Sequence, residues 1–276
     1  MGETDSKKPL PDYECPPVIE VVCGVQFEPI PQFQATSLGL FWNRIRDRYP
    51  TSSEMPELAP VIEQFGKAPV AQHPTLELSS TPPWPRMFFI NSDSNWLIQL
   101  QRDRFLHNWR KVGQDDVYPH YPTIFKTFWD AWIEFKTFCE DERFVPPKVT
   151  QCEITYINHI LAGQGWNSLD DIGQVFPDIT WRAKRGFLPP PESAAWRFGF
   201  VLPGAQGRLH ASVRHAIRVM DERPVLLCEL TARGMPTSPD DTATQQWFNL
   251  GREWIVRGFA DLVADGLQRE IWRRKV

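Results

Sequence analysis

The sequence predicts an α+β fold in which an antiparallel sheet packs on long helices, built as two pseudo-repeated halves that each run strand, helix, strands, helix. Three observations predict it. Several β-like runs are joined by short turn-forming segments, two long segments carry apolar residues at helical spacing, and the second half opens with an echo of the first. In that echo Pro17, Cys23, Val25 and Phe27 correspond to Pro146, Cys152, Ile154 and Tyr156 at a constant offset of 129. The predicted organisation is a flexible leader over 1–15, a first half over 16–143 and a second over 144–276, joined in one integrated domain.

Residues 18–28 (VIEVVCGVQFE) are rich in β-branched residues and read as a strand stopped by Pro29 and Pro31. Ser37 is placed to cap a helix in which Leu38, Phe41, Ile45 and Tyr49 recur at three or four residues, closed by Pro50. Residues 51–85 carry many prolines and no sustained period, so they read as a long ordered loop with one short strand at 60–65. Residues 86–91 and 96–101 form a hairpin around Ser92-Asp93-Ser94-Asn95, and 105–112 continues or pairs with its second strand. Over 121–140, Ile124, Phe128, Trp132, Phe135 and Cys139 make one apolar stripe, with Pro122 in the first turn.

The second half reads as a strand in KVTQCEITYINHI, a short helix over 168–176 capped by Ser168, and strands at 195–202, 208–218 and 224–233. A single long helix from about 240 to 273 ends it. Trp129, Trp132, Trp247 and Trp254 fall on the two long helices and read as core residues.

The composition is that of a soluble protein: 276 residues, 42% apolar, 23% charged and net charge −4, enough chain to bury a substantial core. Apolar runs are too short to cross a bilayer and the first residues lack an apolar signal core, so a cytoplasmic protein without membrane contact is expected. The five cysteines, Cys15, Cys23, Cys139, Cys152 and Cys228, form no CxxC pair, which predicts reduced thiols and no zinc site. Near-neutral charge argues against a non-specific nucleic-acid coat.

Several phrases together resemble a family of sporadically distributed bacterial proteins of about this length. They are Pro16-Pro17-Val18-Ile19-Glu20 running into Gly24-Val25-Gln26-Phe27, Leu100-Gln101-Arg102-Asp103-Arg104-Phe105 followed by Asn108-Trp109-Arg110, and Tyr156-Ile157-Asn158. The resemblance implies no catalytic residues. It implies an accessory role of the kind found in antiphage defence.

The densest polar group is Gln99, Gln101, Asp103, Arg104, His107, Asn108, Trp109 and Arg110, with Arg102 among them. If Trp96, Ile98 and Leu100 face the core, then Gln99, Gln101 and Asp103 line the other face of that strand, a surface suited to a polar ligand, a peptide or nucleotides. The competing reading is an Asp103–Arg pair at a bend. In RLHASVRHAIR, Arg208, His210 and Arg214 share a face as possible anion contacts. His210 and His215 differ by five and so lie on opposite faces, which disfavours a metal site. For nucleophilic catalysis Cys152 with His159, or Cys228 with His210, can be written down, and apolar neighbours make both thiols inert in expectation.

Asp170-Asp171 and Asp240-Asp241 stand at helix starts, where carboxylates suit the helix dipole. No GxSxG, HExxH, Walker or GxGxxG motif occurs. The expected function is therefore non-catalytic binding of a protein partner, with no cofactor or metal, in a defence or toxin-neutralising system. Nucleic-acid binding through the basic strand residues with Trp109 as a stacking platform, or an enzyme built on Asp103, His107 and His210, are the alternatives. Oligomeric state is not readable.

Overall fold

The computed structural model describes residues 8–59, 61–65, 84–179, 187–189, 191–218 and 221–276. Its strands are β1 (Val18–Phe27), β2 (Thr51–Pro56), β3 (Pro85–Ile90), β4 (Trp96–Gln101), β5 (Arg104–Arg110), β6 (Val149–Leu161), β7 (Ala195–Val201), β8 (Gly207–Ile217) and β9 (Pro224–Gly234). All join one sheet in the order β2-β3-β4-β5-β1-β6-β9-β8-β7, and every neighbouring pair is antiparallel. The helices are α1 (Ala35–Ile45), α2 (His120–Asp141), α3 (Ile172–Val175), α4 (Asp241–Leu262) and α5 (Asp265–Glu270). The fold is α+β, as the patterning predicts. Among the described residues no helix is long and apolar enough to cross a membrane.

Alternation assigns the two faces of the sheet. Val21, Cys23, Val25 and Phe27 of β1 point into the core together with Cys152, Ile154 and Tyr156 of β6, and α2 and α4 cover them. Tyr121, Ile124, Phe128, Trp132, Phe135 and Cys139 of α2 are buried at the helical period, so the stripe seals this helix on β1 and β5. Trp132 and Trp247 are fully buried, while Trp129 and Trp254 pack against the core from its margin. Asp240 caps α4, its carboxylate accepting from Ala243 N at 2.9 Å. Gly251 brings α4 close to the sheet, since a Cβ there would lie 3.1 Å from Ile154 Cγ2.

Four details differ from the sequence reading. First, β2 is an edge strand where a loop is expected. Its polar sequence has no apolar alternation, and pairing with β3 alone defines it. Second, residues 61–65 join no strand, and Pro60 lies outside the described residues. Third, α1 is capped by Gln34, with Ser37 at the third helical position returning a bond from Gln34 N at 3.1 Å. Fourth, the helix expected over 240–273 is broken: Val263 is extended, and Ala264 N donates to Val175 O at 2.9 Å. That bond ties the chain to the end of α3, and the Ser168–Asp171 capping box starts the single 3-10 turn at Leu169–Asp171 that leads into it.

Of the leader, residues 1–7 lie outside the described residues. Residues 8–15 include Tyr13, which is buried, donates to Gln268 Oε1 at 2.9 Å and bridges to Arg274.

The register at the sheet centre is regular. Gly24 pairs with Glu153, Cys23 with Ile154 and Val25 with Cys152, so the β1–β6 pairing is centred on two positions 129 apart in sequence. Outward from this pair the order is β5-β4-β3 on one side and β9-β8-β7 on the other.

Candidate functional site

The sheet face opposite the helices, hereafter the open face because none of the described helices covers it, carries Gln99, Gln101, Arg104, Asn108 and Arg110 on β4 and β5, and Glu20 and Gln26 on β1; of these Gln26, Gln99, Gln101, Arg104 and Asn108 are buried. It continues with Gln151, Glu153 and Thr155 on β6, Thr231 and Arg233 on β9, and Arg208, His210 and Arg214 on β8. These strands therefore bring together most of the predicted polar cluster and all three predicted anion contacts.

Two members of the cluster are excluded. His107 and Trp109 alternate with Phe105 onto the helix-covered face, opposite Cys23 and Val21. Trp109 is buried against Tyr118, which removes it as a stacking platform for nucleobases. His107 is fully buried, shares a 2.8 Å hydrogen bond with the Tyr49 hydroxyl and packs on Trp96. Burial, with Arg48 adding to it, drives its pKa down to about 3, so the ring is neutral. Asp103 sits in the β4–β5 turn and accepts from Gln101 Nε2 at 2.7 Å. Asp103, His107 and His210 are not brought together, which removes the catalytic trio. Likewise Cys152 and Cys228 face the core while His159 and His210 face outward, and burial raises both thiol pKa values.

What lies on the open face has no signature in the patterning of residues 51–85. Residues 57–59 and 61–65 lie across it from β4 to β8. Arg102 Nε pairs with Glu57 at 2.9 Å beside the β4–β5 turn. The Gln101 amide then grips both backbone groups of Leu58, accepting from its N at 3.0 Å and donating to its O at 3.1 Å. Arg104 donates to Ala59 O at 3.3 Å. At the centre Gln26 donates to Val61 O at 3.4 Å, and Gln151 donates to the same oxygen while accepting from Glu63 N at 3.1 Å. A backbone with no strand neighbours must find such partners when covered, and here glutamine side chains supply them.

Glu63 is the electrostatic anchor. Its carboxylate meets Arg208 at 2.8 Å, His210 at 2.6 Å and Arg233 at 3.6 Å, and Arg233 also pairs with Glu153. Burial pushes the Glu63 carboxyl up, but the hydrogen bonds from His210 and Arg208 and the nearby positive charges outweigh it and hold it below its usual range. The Arg208 guanidinium lies 4.6 Å from the centre of the Phe65 ring, closing the segment's far end. The predicted anion contacts Arg208 and His210 thus hold a carboxylate of the same chain. Arg214 is exposed.

Beyond the segment, a relay crosses the first half. Arg86 donates to Gln99 at 2.9 Å, Gln99 to Asn108 at 2.9 Å, and Asn108 to Glu20. Burial raises the Glu20 pKa despite the Asn108 bond and Arg110. No group of three side chains suited to a metal occurs among the described residues. Comparison with family models, with curated proteins and with solved structures gives no match.

Proposed function

We propose that the protein is a non-catalytic binding protein whose open sheet face holds a polypeptide segment bearing a carboxylate, a place that residues 57–59 and 61–65 occupy in the same chain. The two-point grip of Gln101 on the Leu58 backbone carries this reading, because an amide that reads N–H and C=O together recognises peptide irrespective of side chain. Gln151 repeats the device between Val61 and Glu63. Arg208, His210 and Arg233 add selectivity for an acidic residue. Strand order and the register around Gly24 and Glu153 support reading the two halves as one unit used twice, with the segment lying across their junction. Such a platform suits an accessory component of a defence or toxin-neutralising system, in line with the family resemblance.

The test is binding of a fluorescent peptide ELAPVIEQF, the sequence of residues 57–65. The Glu63→Gln protein, whose own segment is weakened, binds it more tightly than the wild type, and adding Gln101→Ala removes the binding. Failure of the peptide to bind either protein, or a preference of the same face for a single-stranded oligonucleotide, overturns the proposal.

A further inference from the structure

A second recess lies on the other side of the sheet, independent of the open face. It is enclosed by residues 11–18, the segment leading into α2, and the middle of α4. Its free volume of about 70 Å³ is several times the ~10–15 Å³ that one water needs on a comparable measure, room for a small organic molecule. One wall is apolar, formed by Val18, Ile255, Val256 and Phe259.

The other wall has a surplus of hydrogen-bond donors. Arg252 stacks its guanidinium 4.6 Å from the centre of the Tyr121 ring, and its buried Nε has no hydrogen-bond partner. It has no carboxylate partner among the described residues. Beside it the Tyr118 hydroxyl donates to Tyr156 at 3.3 Å, which leaves the proton of the buried Tyr156 hydroxyl without an acceptor among the described residues. The acid among the lining residues, Asp12, is half-exposed and shared by Lys275 at 3.5 Å and His120 at 3.8 Å. A half-buried cation and an unsatisfied phenol proton beside an apolar wall want a group that only accepts and carries negative charge.

We propose that this recess binds a small organic carboxylate, its apolar body against Val18, Ile255 and Phe259 and its charge between Arg252 and the Tyr156 hydroxyl. A phosphate suits it less well, because the carboxylate of Asp12 is part of the lining and much of the rest is apolar.

Isothermal titration of the full-length protein with benzoate tests this, with benzamide as the neutral control of the same shape. Benzoate saturates at one molecule per chain, and benzamide binds at least about tenfold more weakly. Arg252→Gln weakens benzoate about tenfold and Tyr156→Phe several-fold, each measured on protein whose circular dichroism shows it folded. No saturable binding at millimolar benzoate, equal binding of benzoate and benzamide, or an affinity indifferent to both substitutions overturns the proposal. Should either variant not fold, Val256→Trp fills the recess while keeping both donors. Benzoate binding is then lost, and its survival is equally fatal to the proposal.

Discussion

Replacing Glu63 with Gln loosens residues 57–59 and 61–65 from the sheet and leaves the sheet itself intact. The carboxylate accepts charge-assisted hydrogen bonds from Arg208 at 2.8 Å and His210 at 2.6 Å, each worth about 1.5–3 kcal/mol when buried. The low end applies, because the His210 side chain is 42% exposed and water screens that contact. Since the Gln amide keeps a neutral bond to Arg208, the net loss is about 2 kcal/mol, or a roughly 30-fold increase in the opening equilibrium. Hydrogen exchange reads this at the backbone amides of positions 58 and 63, whose acceptors are Gln101 and Gln151. Acid acts in the same direction. With the Glu63 pKa held below 4.5, its contribution is complete above that value and is lost as pH falls through the lower folded one. Opening constants within twofold of wild type at both amides, with the variant folded, would refute the electrostatic anchor.

Three further outcomes follow from the same geometry. His107 is neutral in the fold with a pKa of about 3, against 6.5 unfolded, so wild-type stability falls by about 1.4 kcal/mol per pH unit as pH drops below 6.5. Urea denaturation of His107→Gln at pH 7 and pH 5 loses that component of the slope. Trp109→Ala costs about 3–5 kcal/mol of folding stability, because the ring is core and does not face a ligand. A variant with an unchanged denaturation midpoint contradicts that placement. Gly234→Ala destabilises by about 1–3 kcal/mol, since its Cβ would lie 2.0 Å from Gln206 O and 2.4 Å from Gly207 Cα; calorimetry registers a lower Tm.

The sheet was legible wherever strands alternate and are joined by short turns. The β3–β4 hairpin illustrates this: Asn91 Oδ1 accepts from Trp96 N at 2.9 Å, closing the polar turn that the composition signals. α2 was legible from its unbroken apolar stripe, whereas the break at Val263 carries no glycine or proline and depends on the tertiary bond to Val175. Within RFLHNWR the alternation of Phe105, His107 and Trp109 marks one face, but a histidine on an apolar face and a tryptophan among arginines read as surface chemistry. Tyr49, which makes His107 acceptable in the core, is 58 residues away. The segment over the open face was illegible for the same reason. Its partners Gln101, Arg104, Gln151 and Arg208 are 43 to 145 residues distant, and neither proline content nor hydrophobic period encodes side-chain amides that read backbone.

The most direct test of the central claim is photo-cross-linking with the ELAPVIEQF peptide carrying a diazirine-bearing phenylalanine at the position of Phe65, bound to the Glu63→Gln protein and mapped by mass spectrometry. Cross-links confined to the open-face residues of β8 and β9 around Arg208 are the result this account predicts. Cross-links on the surfaces of α2 and α4, or scattered over the chain, would contradict it.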